Sequence, residues 1–164
     1  MPAAEIMHTL HRYNAWANRR ILDTAEKLNT GQFMAKVGAS FDSVRDTLVH
    51  TMSAERLWLA RFQETESRAM LKFDDYSDLR AIREQWSEIE THTQAFLASI
   101  DDHKLAKIIH YVNAQGEPNA YPLWQMMVHQ VNHSTQHRSE VAAMLTQFGH
   151  SPGWLDFLVY IDSN

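Results

Sequence analysis

Apolar side chains recur in the opening segment at Ile6, Leu10, Tyr13, Ala17, Ile21 and Leu28, in steps of three, four or seven. That period belongs to an α-helix with one buried stripe, and it predicts a helix from about Ala3 to Leu28. Asn29-Thr30-Gly31 follows, with Gly31 placed to close the helix in the left-handed conformation. Ser40 or Asp42 is suited to cap a second helix running to about Glu64, with Phe41, Val44, Leu48, Met52, Leu59 and Phe62 on one face. A polar connection spans Glu64 to Asp75. Ser77 or Asp78 then opens a third helix through Trp86, Ile89, Phe96 and Ile100. The period changes in Lys107-Ile108-Ile109-His110-Tyr111-Val112, which is short and β-branched, and Asn113 to Pro118 is turn chemistry. A short hairpin or irregular excursion is expected there. A fourth helix runs from about Pro122 to Phe148 and stops at Gly149. The apolar tail Trp154 to Ile161 is expected to pack on the helices. The pattern describes an all-α fold in one domain over residues 1–164, interrupted only between helices 3 and 4.

Composition narrows the chemistry. The chain has 164 residues, 45% of them apolar, with 5 Gly, 4 Pro and no Cys. That length suits one domain with a substantial core. Without cysteine there is no disulfide framework, thiol nucleophile or zinc ribbon, so a metal site has to use His, Asp, Glu or backbone oxygen. The formal charge of −5 comes from scattered acids and bases. A protein that reads a phosphate backbone ordinarily carries a basic stripe, and none is visible, so nucleic acid is not an expected partner. The first residues lack the pattern of a signal peptide, and no apolar run is long enough to span a bilayer. A cytoplasmic protein without membrane contact is expected. Histidine is abundant, at 10 copies, which makes the charge sensitive to mild acid.

The densest chemical signal is His129-Gln130-Val131-Asn132-His133-Ser134-Thr135-Gln136-His137-Arg138-Ser139-Glu140. His133 and His137 are four apart, so on a helix their rings stand one turn above the other and are able to share one metal ion. The Glu that follows the first His in zincin motifs is absent, position 134 being Ser. His129 lies one turn further back. The outer rings of that column are about 12 Å apart by helical rise, so only two adjacent members reach one ion and a third ligand comes from another helix. His50 is the candidate, with Asp46 one turn earlier to orient its ring. The main apolar stripe of the second helix faces away from His50, so this assignment requires that helix to be buried over a wide arc. By pattern alone a metal site and ordinary packing weigh about evenly. His8, His11, His92, His103, His110 and His150 read as surface or packing residues. Glu140 is a candidate to hold a ligand ring or act as a general base, against a default role in a surface ion pair. Trp16, Trp58, Trp86 and Trp124 read as core. A ferritin-like di-metal centre needs two Glu-x-x-His motifs, and only Glu5-Ile6-Met7-His8 fits; a GxSxG nucleophile elbow is missing.

Three separated segments resemble the DinB (DNA-damage-inducible) family, in its order. They are Tyr13-Asn14-Ala15-Trp16-Ala17-Asn18, then Leu48-Val49-His50 with Ala54-Glu55-Arg56-Leu57-Trp58-Leu59, and Val131-Asn132-His133-Ser134-Thr135-Gln136-His137-Arg138. The Leu158-Val159-Tyr160-Ile161 tail is similar as well. The resemblance covers essentially the whole chain. It implies a DinB/YfiT-like four-helix bundle, often dimeric, with a divalent metal on three histidines, which match His50, His133 and His137 here. It also implies kinship with bacillithiol S-transferases and mycothiol-dependent maleylpyruvate isomerases. Arg138-Ser139-Glu140 departs from the family's usual Arg-Gly-Gln or Arg-Gly-Glu, losing the close approach that Gly permits. The expected function is thiol S-transfer to an electrophilic small molecule through Zn²⁺ or Ni²⁺, with a low-molecular-weight thiol as cosubstrate; the alternative is a non-catalytic metal-binding stress-response module. Because imidazole ligands bind as neutral rings, metal occupancy is expected to fall below about pH 6.

Overall fold

The computed structural model describes residues 2–37, 40–65 and 69–163. Its long helices are α1 (Ala3–Ala25), α3 (Val44–Phe62), α4 (Leu79–Leu97) and α6 (Leu123–Gln147), joined by the short helices α2 (Thr30–Met34), α5 (Asp102–Leu105) and α7 (Phe157–Asp162). A single turn of 3₁₀-helix covers Phe73–Asp75. Strands β1 (Ile108–Val112) and β2 (Pro118–Pro122) pair antiparallel, with Ile109 opposite Tyr121 and Tyr111 opposite Asn119. The fold is thus mostly helical with one small sheet, and the hairpin falls where the β-branched run predicted it. Among the described residues no helix is long and apolar enough to cross a membrane.

Caps set the helix ends. Ser43 accepts from the Asp46 amide, Asp78 from the Ala81 amide and Asp101 from the Lys104 amide. Helix α6 stops at Gly149, whose φ of 84° lets the Gly149 and His150 amides turn back to the Thr146 and Leu145 carbonyls. The end of α1 differs from expectation. It stops at Ala25, and Gly31 lies inside α2, where Asn29 and Gln32 form a reciprocal capping box. Asn29 is a helix start; the Asn-Thr-Gly run looked like a stop because caps and stops share residue types.

Helix α3 packs against both α6 and α4, and α1 completes the circuit by touching α6 and α4. One core cluster joins Ile21, Val44, Leu48, Met52, Ile82, Trp86 and Leu145. A second joins Met7, Leu59, Leu97, Ile109, Leu123 and Met127, bringing the hairpin in through Ile109. Helix α3 is enclosed well beyond its apolar stripe, since Thr47, Thr51, Ser53 and Ala54 are buried too. That wide burial is the condition His50 required. The tail meets the helices only partly: Tyr13 donates to the Leu155 carbonyl at 2.9 Å and its ring meets Phe157 edge-on at 5.3 Å, yet Trp154 and Leu158 stay exposed. Of the tryptophans read as core, Trp86 is buried and Trp124 is exposed.

Candidate metal centre

His50, His133 and His137 come together between α3 and α6, each offering a ring nitrogen, with all three nitrogens within 4.8 Å of one another. His50 Nε2 and His133 Nε2 are 3.3 Å apart. Two imidazole nitrogens on one tetrahedral ion at about 2.05 Å sit about 3.3 Å apart, so the donor set fits a small divalent cation. The ring centroids of His50 and His137 are 4.7 Å apart, and those of His133 and His137 are 4.5 Å apart. His129 stands outside the group. Its ring is exposed, 6.1 Å from that of His133, and packs on Trp58.

Glu140 accepts from His137 Nδ1 at 3.0 Å, which fixes the proton on that nitrogen and leaves Nε2 as the one available to an ion. Ser40 Oγ donates to the other carboxylate oxygen at 2.5 Å. Burial works against the charge on Glu140, but the bonds from Ser40 and His137 and the nearby His50 hold its carboxyl below the usual value. Asp46, expected to orient His50, instead accepts from Arg45 Nε at 2.5 Å, and Arg45 also reaches the Phe73 carbonyl. The neighbouring cation captures the carboxylate that spacing alone assigned to His50. Phe41, which precedes α3, covers the cluster: its ring stacks on that of His50 at 4.1 Å and lies 5.6 Å from that of His137. The apolar period puts Phe41 on the stripe of the second helix; the helix starts only at Val44, and Phe41 lies in the connection before it, free to turn onto the histidine rings.

Burial, together with the crowding of His137 and the other rings, pushes His50 and His133 down to about 4. Both rings are neutral at pH 7, the form that binds metal, and they stay neutral well below the pH 6 expected from free imidazole.

A buried polar frame holds α6 in register behind the cluster. Glu55 Oε1 accepts from Asn14, Asn18 and Ser134, and its Oε2 accepts from Trp86 Nε1 at 2.7 Å. Arg138, 3% exposed, donates to the Asn14 and Asn18 oxygens and to Thr135 Oγ1. Ser134 is next to His133 and Arg138 next to His137, so one face of α6 anchors the frame while the other presents the histidines. Ser139 is exposed and bonds to its own helix through the Thr135 carbonyl, so no close approach is lost by the absence of glycine there.

Fold and site together define a mostly helical protein with a three-histidine group that could hold a metal ion. The DinB family model matches residues 1–164, and the chain belongs to the DinB family. It is 24% identical to Protein DinB of Bacillus subtilis (strain 168), covering 93% of this chain and 91% of that protein. Among solved structures it resembles a DinB family member from Shewanella denitrificans, with a TM-score of 0.70, 15% identity and coverage of 94% of each chain. It also resembles a DinB-like protein from Bacillus cereus ATCC 10987, with a TM-score of 0.66, 13% identity and coverage of 85% of this chain and 91% of that one. These likenesses establish the fold.

Proposed function

We propose that this chain is a single-domain four-helix bundle and a metal-dependent enzyme that transfers a low-molecular-weight thiol to an electrophilic small molecule. His50, His133 and His137 would hold the ion, Zn²⁺ or Ni²⁺, both of which suit imidazole ligands. The observation that carries this reading is the 3.3 Å approach of His50 Nε2 to His133 Nε2, with His137 beside them. A divalent ion held by three neutral imidazoles retains an open position and, when bound, lowers the pKa of a thiol or water toward neutrality.

The chain's own residues do the rest. Glu140 keeps the proton on His137 Nδ1, and Phe41 shields the rings from water on one side. The Glu55 frame fixes the register of α6 against α3, and with it the placement of His133 and His137 opposite His50. The protein has no cysteine, so the nucleophilic thiol arrives as cosubstrate. We also read the chain as a homodimer that does not bind nucleic acid; Trp154, Leu158 and Ile161 near the end of the chain are exposed apolar side chains of the kind a second copy covers.

The test combines elemental analysis of the purified protein with a thiol-conjugation screen. About one divalent ion per chain, with metal-dependent loss of free thiol in the presence of an electrophile, is the expected result. Thermal stabilisation by metal with no turnover across the screen would favour the non-catalytic binding module instead.

A further inference from the structure

The hairpin between α5 and α6 has no part in the histidine cluster, yet it supplies two walls of a cavity of about 400 Å³ beside it. Trp58 from α3, Tyr111 and Tyr121 from the hairpin, and Gln125, Met126 and His129 from α6 line this space. Tyr111 and Tyr121 are on diagonal positions of the two-stranded ladder, with ring centroids 6.4 Å apart. Tyr111 meets Trp58 edge-on at 5.7 Å, and Trp58 meets His129 at 4.8 Å. His129 in turn neighbours His133, so the cavity wall continues into the cluster. Depressions of comparable size along α1 and α4, both lined by Arg83, share no residue with the cluster.

Arg61 gives this cavity a sign. Its guanidinium carbon lies 4.6 Å from the Trp58 ring centre and 4.3 Å from that of Tyr111. The side chain is buried, its Nε has no hydrogen-bond partner, and no carboxylate pairs with it among the described residues. A buried cation is ordinarily paired. Here the two aromatic rings provide the compensation, and the positive charge behind them remains unneutralised.

We propose that this cavity is the subsite for the aromatic portion of the small-molecule substrate, that it takes a flat neutral or anionic ring system, and that Arg61 sets it against cations. The size fits a small ligand, and three aromatic walls with the Met126 thioether favour a planar ring. The subsite rests on the metal-centre reading for its role in the reaction, because its value is to present the bound ring beside the histidines.

Isothermal titration with 1-naphthol, 1-naphthoate and 1-naphthylmethylammonium tests it without requiring activity. The first two are expected to bind and the ammonium compound to bind at least tenfold more weakly. Gln125→Trp, which fills the space, and Tyr121→Ala, which removes an exposed wall, are each expected to weaken 1-naphthol at least tenfold, with thermal melts showing that both fold. His133→Ala is expected to bind 1-naphthol as the parent does while losing metal. Metal loading with no 1-naphthol binding, or equal binding in both cavity variants, overturns the subsite and leaves the metal centre standing. Binding of 1-naphthol without metal loading in the parent overturns the metal centre, and with it the subsite's catalytic role. Equal affinity for the ammonium compound overturns the role given to Arg61. A 1-naphthol affinity that falls as protein concentration rises would show a second copy filling the cavity, and would overturn a small-molecule subsite.

Discussion

His50 and His133 face each other through their Nε2 atoms at 3.3 Å across the α3–α6 interface, although they are far apart in the chain. Between neutral rings one Nε2–H donates to the other's lone pair at this distance, whereas a divalent ion between them takes a lone pair from each. Replacing either ring, or His137, with Ala is therefore expected to reduce affinity for Zn²⁺ or Ni²⁺ by at least a hundredfold in competition with a chromophoric chelator. His129→Ala is expected to stay within about twofold of the parent. A chelator should lower the melting temperature of the metal-loaded parent, since an ion that binds only the folded state stabilises it. Equal losses for His129 and His133 would count against this ligand set.

Glu140 acts on the ion through His137, and its effect separates from general stability. Outer partners of metal-bound histidines typically contribute 10–100-fold in affinity. Glu140→Ala is expected to weaken metal binding by about that factor while the metal-free protein melts within a few degrees of the parent. Glu140→Gln, whose amide oxygen is still able to accept from Nδ1, should recover part of the loss. Unchanged metal affinity in Glu140→Ala would reduce this residue to an ordinary ion-pair member.

Arg138 and Glu55 form a charge pair that never touches directly, bridged by Asn14 and Asn18. Glu55 is half-buried and keeps its own donors, but removing the buried Arg138 leaves the Asn14 and Asn18 oxygens without theirs, which typically costs about 1–3 kcal/mol. Arg138→Ala is expected to destabilise by about that amount in urea unfolding. The double variant with Glu55→Ala should lose less than the sum of the two single losses, a coupling of about 0.5–3 kcal/mol. Strict additivity would show that the asparagines hold each partner independently.

The extent to which all this was legible in the sequence varies with the kind of signal. The stripe through Ile21, the cap at Asp78, the stop at Gly149 and the His133/His137 spacing are local, so they were readable directly. The convergence of His50 on α6 depends on how widely α3 is enclosed, a tertiary fact that periodicity leaves open. Asp46 went to Arg45 because a one-turn spacing places groups on a face without saying which neighbour captures them. The pattern assigns Ser40 and Phe41 to the cap and stripe of the second helix, but that helix starts at Val44, and their contacts from the connection before it follow no period. The frame did leave a trace: Asn14 and Asn18 are polar, four apart, and directly follow the apolar Tyr13 and Ala17 of the α1 stripe.

His11 read as a surface or packing residue, and the structure buries it at 3% exposure with Nε2 unpartnered. Burial pushes its pKa down to about 4, with His8 adding to the shift and Glu55 opposing it. Above about pH 6.5 the ring is neutral in both folded and unfolded chains, and it contributes no pH dependence. Between about 6.5 and 4 the unfolded chain takes up a proton that the folded one refuses, so stability falls as pH falls. Over that window the loss is about 3 kcal/mol at about 1.4 kcal/mol per unit. Urea unfolding of metal-free protein at pH 7, 5.5 and 4.5 checks this against His11→Gln, which cannot titrate there. The parent should lose roughly 2–3 kcal/mol more than the variant between the two extremes. Parallel pH profiles would mean that His11 accepts its proton without unfolding, and that the enclosure around α1 opens in mild acid.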